Sequence, residues 1–162
     1  MDGQQAHAYW VILLSFVLAY VLAVLPLPAW LQWGRPQWVT LTLIYWIIAL
    51  PHRVGMFTAL LLGIGLDVLE GAVIGQNAFA LAVIALLCLS LYQRLRVFGL
   101  WQQAVVVFVL VGIDQMICQW VQNLEGLGAR STLFLLPAVA SALLWPVVLH
   151  VLRGLRRHYA VT

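Results

Sequence analysis

The sequence predicts an all-α fold, a polytopic membrane bundle of six transmembrane helices that forms one domain over residues 1–162. Three observations predict it. Hydrophobic residues make up 65% of the chain and charged residues only 8%, against roughly 25% charged in a soluble domain. Apolar runs recur at 9–30, 36–50, 54–70, 76–93, 100–121 and 131–152, with only short turns between them. No long polar segment, internal repeat or low-complexity linker interrupts the series, so function must lie in the membrane or in short loops.

The first run is a span rather than a cleavable leader. "MDGQQAHAY" lacks a basic start, and the apolar stretch after it exceeds the ~7–15 residues of a signal core. The second run is the weakest. Its fifteen residues rise only ~22 Å as a helix, against ~30 Å of hydrocarbon. Folding back with the third run as a re-entrant pair would bring Arg53 to membrane depth at a high cost, so a full span is expected. The third run, "VGMFTALLLGIGLDVLE", follows the basic turn Pro51-His52-Arg53 and carries Asp67 and Glu70 near its end. The fourth and fifth runs hold Cys88 and Cys118 at opposite depths. Bridged Cα atoms lie ~4.4–6.8 Å apart, so both cysteines are expected as packing residues. The sixth run leads into "LRGLRRHYAVT", whose basic groups suit topology control and attraction to anionic lipid.

Arginine sets the orientation, because the chain has no Lys. With the N-terminus cytoplasmic, Arg53, Arg94, Arg96, Arg153, Arg156 and Arg157 form a cytoplasmic basic edge, and only Arg35 and Arg130 face outward. Six against two is a positive-inside bias. Trp10 and Trp101 then mark inner edges, and Trp30, Trp33, Trp38 and Trp120 outer ones, as an aromatic belt does. The expected location is a bacterial inner membrane, multi-pass, with both termini cytoplasmic. The formal net charge of +3 is too small and too dispersed for nucleic-acid binding.

The acids pose the functional question. Asp67 lies fourteen residues past Arg53, or ~21 Å along a helix. Asp114 lies fourteen past Leu100, so the two aspartates sit at similar depth in the outer half. Glu70 neighbours Asp67 on the same helix surface. One acid near the bilayer centre costs ~2.5–3.5 kcal/mol on insertion, and each large apolar residue returns ~0.3–0.6. These acids should therefore face protein, not lipid. Gly55, Ala59, Gly63 and Asp67 recur at intervals of four, which lines small residues and an acid along one stripe. Such stripes let helices approach closely in lipid. This one serves either packing within the bundle or a surface that also meets a partner. Asp67→Asn would be tolerated in part, since it keeps a hydrogen-bonding group of similar size.

Most catalytic chemistries lack their residues. Without Lys there is no Walker A loop, Ser-Lys dyad or Schiff base; there is also no H-E-x-x-H and no G-x-S-x-G. His52, His150 and His158 lie at the basic edge and suit an interface better than a metal. No metal or cofactor is expected. Two membrane aspartates could share a proton and activate water, as in an intramembrane aspartyl protease. Yet "GIGLD" carries an extra residue relative to the G-x-G-D of one such class, and "GIDQM" lacks a Tyr-Asp. The Asn-flanked and Ala-Asp signatures of lipoprotein signal peptidase are absent too.

The stretch "GRPQWVTLTLIYWIIALPHRVGMFTALLLGIGLDVLEG" closely resembles the MreD family of bacterial rod shape-determining membrane proteins, of the gammaproteobacterial type. The resemblance rests on Arg35-Pro36 with Trp38, Tyr45-Trp46, Pro51-His52-Arg53-Val54, the pair Gly63 and Asp67, then Gly71 and Gly75. "LWQQA", "LLWP" and the basic tail extend it over nearly the whole chain. It implies a non-enzymatic scaffold of the cell-elongation complex that supports cell-wall synthesis. The implied partners are MreC, bound directly through membrane helices, with MreB and the RodA glycosyltransferase and its transpeptidase in the wider complex; a homodimer stays open. It also implies a fold like the substrate-binding subunit of energy-coupling-factor transporters. That likeness supplies a second function class, a small-molecule or lipid-binding membrane subunit with a polar cavity around Asp67, Glu70 and Asp114. The intramembrane aspartyl protease is the third.

The six-span topology places both termini in the cytoplasm. Reporter fusions at each end should agree on that side; a periplasmic C-terminus, or an odd number of spans, would reject it.

Overall fold

The computed structural model describes residues 2–26, 28–32, 35–71, 73–126 and 135–159. They form helices joined by turns: α1 (Asp2–Val24), α2 (Ala29–Gln32), α3 (Trp38–Ala49), α4 (Met56–Glu70), α5 (Gln76–Val97), α6 (Leu100–Leu124) and α7 (Leu136–His158). α2 is a single turn, so the expected all-α architecture of six longer helices is present, with no strand among the described residues. α5, α6 and α7 are long and apolar enough to cross a membrane; the apolar parts of α1 and α3 are shorter.

Several boundaries differ from the sequence expectation for physical reasons. The first run was expected to reach residue 30, but α1 stops at Val24. Pro26 and Pro28 follow, and proline both lacks the N–H a helix needs and disfavours helical backbone in the residue before it. The chain turns helical again only as α2. α5 continues four residues past the expected end, to Val97, and its last turn holds Arg94 and Arg96 where cations suit a helix C-terminus. The expected start of the sixth run at 131, together with Arg130 and Trp33, lies outside the described residues.

The weakest span is the innermost helix. α3 has twelve residues, and ten of them are buried, on every side. A helix that is apolar all round belongs in a core. α1, α5, α6 and α7 pack around it. Leu41, Leu43, Ile44, Trp46 and Ile47 have no exposed surface at all. A helix walled by protein need not match the lipid thickness, which explains how ~18 Å of helix suffices.

Polar side chains hold the ends of this core. Trp46 Nε1 donates to Ser15 Oγ at 2.8 Å, and the Ser15 hydroxyl in turn donates to the Ile12 carbonyl at 2.6 Å. The Gln37 N–H, just before α3, donates to Ser141 Oγ of α7 at 2.9 Å. At the other end, Arg96 Nε donates to the Ile48 carbonyl at 2.7 Å and Nη2 to the Ala49 carbonyl at 3.1 Å. These are the last two carbonyls of α3, which have no partner within the helix. Arg35 treats α1 likewise, donating to the Ala23 carbonyl at 2.5 Å and to that of Leu25.

The helices alternate in direction. One end of the bundle gathers the start of α1, the turn at 50–55, and the ends of α5 and α7. There the Arg53 guanidinium lies 5.2 Å from the Tyr9 ring centroid, and Tyr45 is hydrogen-bonded to Arg156. The α4–α5 turn, with Asp67, is at the opposite end.

Arg96→Met removes two charge-assisted bonds and leaves two carbonyls of α3 uncapped. Unfolding in detergent should show a loss of about 1–3 kcal/mol. Arg94→Met, on an exposed side chain two residues away, should leave the transition unchanged.

Candidate functional site

The acidic site is built on the α4–α5 hairpin, and glycine makes the hairpin close. A Cβ on Gly63 would lie 2.2 Å from Ala78 Cα, 2.4 Å from Ala78 N and 2.6 Å from the Asn77 carbonyl carbon. All three are backbone atoms of α5, so no side chain can move aside. Ala59, one turn earlier, is fully buried. Gly55 is the N-cap of α4, with open space where its Cβ would be. The stripe at intervals of four is thus occupied by α5 along its Gly63–Asp67 part.

Asp67 lies one turn beyond Gly63 and is 1% exposed. Its Oδ2 accepts the Gly75 N–H at 2.8 Å, and its Oδ1 accepts the Asn77 N–H at 2.9 Å. Gly75 occupies the N-cap of α5 with φ of 99° and has no side chain to offer. The carboxylate of the preceding helix therefore closes the N-terminus of α5. An acid at this place is favoured twice, by free N–H donors and by the positive end of the helix dipole. Gly71 ends α4 at φ 65°, with its N–H on the Asp67 carbonyl, so both glycines singled out in the sequence form the turn that aims Asp67 at α5.

Asn77 ties the remaining polar groups together. Its Nδ2 donates to Glu70 Oε2 at 3.1 Å, and its Oδ1 accepts from Cys118 Sγ of α6 at 3.5 Å. Asp114, one turn before Cys118, is 2% exposed and lies within electrostatic reach of Glu70. Glu70 also feels Asp67 and Arg35. Asp114 Oδ1 and Gln76 Oε1 are buried without a hydrogen-bond partner among the described residues. The three acids named from the sequence thus form one cluster. Gln76, Asn77 and the bonding role of Cys118 were not foreseen. The available signal was a pair of amides opening an apolar span, "GQNAFALA". Cys88 and Cys118 are both free thiols, and both are buried.

The basic residues are at the far end and do different things. Arg53 lies over Tyr9, with its Nη1 buried and unpartnered among the described residues. Arg96 caps α3, and Arg156 meets Tyr45. Arg94, Arg153 and Arg157 are exposed. No group of three metal-binding side chains occurs among the described residues.

A family model described as rod shape-determining protein MreD matches residues 4–155. The chain is similar to the rod shape-determining protein MreD of Haemophilus influenzae, with 34% identity over 149 residues, 91% of this chain and 92% of that one. No solved structure matches the chain.

The geometry revises what Asp67→Asn should do. An amide offers one acceptor oxygen and turns its NH2 toward a backbone donor, so one of the two bonds is lost and replaced by a donor–donor conflict. The expected cost is about 1–3 kcal/mol, more than partial tolerance implies. Gly63→Ala should be worse, because the clash is with backbone, and overpacking of this kind costs roughly 1–3 kcal/mol or more. Unfolding midpoints and membrane abundance of both variants check the order; an unaltered Gly63→Ala protein would contradict the α4–α5 contact.

Proposed function

The chain belongs to the MreD family of rod shape-determining proteins, and we propose that it acts as a non-enzymatic inner-membrane scaffold that holds MreC through membrane helices. Through MreC it would connect MreB with the RodA glycosyltransferase and its transpeptidase. The arginine bias supports a multi-pass arrangement with cytoplasmic termini.

One observation carries the scaffold reading: both oxygens of Asp67 are engaged by backbone N–H groups of α5. A proton-sharing aspartyl pair needs at least one oxygen of each acid turned toward the other and toward water. Asp67 is instead a helix cap. The small-residue stripe is filled by α5 as well, so a partner span would meet the opposite face of α4. Phe57, Leu61 and Val68 are 85%, 71% and 69% exposed there. Their spacing by four and seven forms a ridge that a second helix can pack against in lipid.

A small-molecule subunit is the second reading. It is favoured by two buried acceptors, Asp114 Oδ1 and Gln76 Oε1, that have no partner among the described residues. A ligand with N–H or O–H groups would satisfy both.

Asp114→Asn separates these readings, since Asp114 caps no helix among the described residues. In cells depleted of the native protein, the scaffold reading expects the variant to restore rod shape and to retain MreC on purification. Loss of rescue with normal abundance and normal MreC recovery would instead make Asp114 chemically active, as catalyst or ligand group, and overturn the scaffold reading.

A further inference from the structure

A cavity of about 330 Å³ opens at the end of the bundle opposite Asp67. That volume is at the lower end of the ~300–1,000 Å³ typical of small-molecule sites. Its lining includes Tyr45 of α3, Arg96 of α5, Gln103 of α6, and Trp145, Arg153 and Arg156 of α7. Four helices thus line one space, and two of them, α5 and α7, bring three guanidinium groups to it.

The wall is built rather than incidental. Gln103 is 7% exposed and fixed on both sides: its Nε2 donates to the Leu95 carbonyl at 2.7 Å, and its Oε1 accepts from Trp145 Nε1 at 3.3 Å. Arg96 is held by the two α3 carbonyls, and Arg156 by Tyr45. Ile48 and Leu149 supply an apolar side.

Among the described residues, the cavity lining holds three arginines and no carboxylate. Of the five acids, Asp67, Glu70 and Asp114 sit in the hairpin cluster at the other end, and Glu125 follows α6 there. The fifth, Asp2, opens α1 at the cavity's own end of the bundle. The two carbonyls on Arg96 offset only part of one charge. Arginine forks match the oxygens of a phosphate, and three of them border this one cavity.

We propose that this cavity binds a phosphate-bearing group, carried either by an anionic phospholipid headgroup or by a soluble phosphate compound. Phosphate oxygens would meet Arg153, Arg156 and Arg96, and a lipid's glycerol and upper chains would lie against Ile48 and Leu149. This is more than attraction of a basic edge to a charged surface. A general field would treat Arg153 and Arg157 alike, because both are exposed on the last turns of α7. A site distinguishes them, because Arg153 lines the cavity and Arg157 does not.

The test uses the full chain, purified and delipidated in detergent. Binding of phosphatidylglycerol, phosphatidylcholine and inorganic phosphate is titrated separately, by native mass spectrometry for the lipids and by unfolding temperature for phosphate. Saturable binding of phosphatidylglycerol but not phosphatidylcholine is expected if a lipid headgroup is the source. Saturable stabilisation by inorganic phosphate points to the soluble source. In either case Arg153→Gln should weaken binding about tenfold or more, Arg153→Lys should recover part of it, and Arg157→Gln should keep most of it. Equal losses for Arg153→Gln and Arg157→Gln would overturn the site in favour of a diffuse field. So would equal binding of the two lipids, or saturation by none of the three probes.

Discussion

Helix ends in this bundle need polar partners where water is scarce, and at three of them a charged side chain supplies one. A helix leaves four N–H and four C=O groups without internal partners. In hydrocarbon each such group costs several kcal/mol. Arg35 reaches the last carbonyls of α1, Arg96 those of α3, and Asp67 the first N–H groups of α5. The signs follow the helix dipole, with cations at the two C-termini and the anion at the N-terminus. No one of these contacts is an ion pair. Each charge faces a partial charge fixed in the backbone, so neither a buried ion pair nor its double desolvation is needed.

That arrangement makes the short central helix workable. α3 is too brief to cross a bilayer alone, so its ends fall below the surface of the bundle. Ser141 receives the Gln37 N–H at one end and Arg96 closes the carbonyls at the other. With these groups closed, α3 can be apolar on most sides at a smaller cost in unpaired backbone groups. The α4–α5 hairpin obeys the same rule by a different route. Gly63 lets the α5 backbone come close enough for Asp67 to reach over the turn. Removal of either residue disturbs the other, since the glycine sets the distance over which the carboxylate acts.

Legibility in the sequence divides along the same line. Composition and run length gave the helices, because burial in lipid needs long apolar stretches. The break after Val24 was written in Pro26 and Pro28 but was hidden by the apolar residues around them. The similar depth of Asp67 and Asp114 followed from helical rise, but rise says nothing of which helices are neighbours, so the cluster with Asn77 and Cys118 did not. Whether the stripe ending at Asp67 faced a neighbour in the chain or another protein depends on where α5 lies, and periodicity carries no such information. Asn77 and Gln103 escaped notice because an amide has no motif; each matters only through the three-dimensional ends it joins. The short second run was read as weak when it was in fact central, since hydropathy measures affinity for lipid and says little of a helix that never meets it.

The segregation of charge has a further consequence for how such a bundle can be recognised. Acids collect in the hairpin cluster and most arginines at the opposite end, while the outer faces between them are apolar. Across the membrane-embedded belt, a partner helix then finds no strong polar handle, and selection there rests on shape: ridges such as Phe57, Leu61 and Val68, and the grooves beside them. Charge can act only at the two ends, where a headgroup or a loop reaches it. A bundle of this kind can separate folding from recognition by depth. The polar residues fix the fold from inside, and substitutions there alter partners only through the fold. The apolar surface is the part open to neighbours, so changes of side-chain volume on it can leave the helix caps intact.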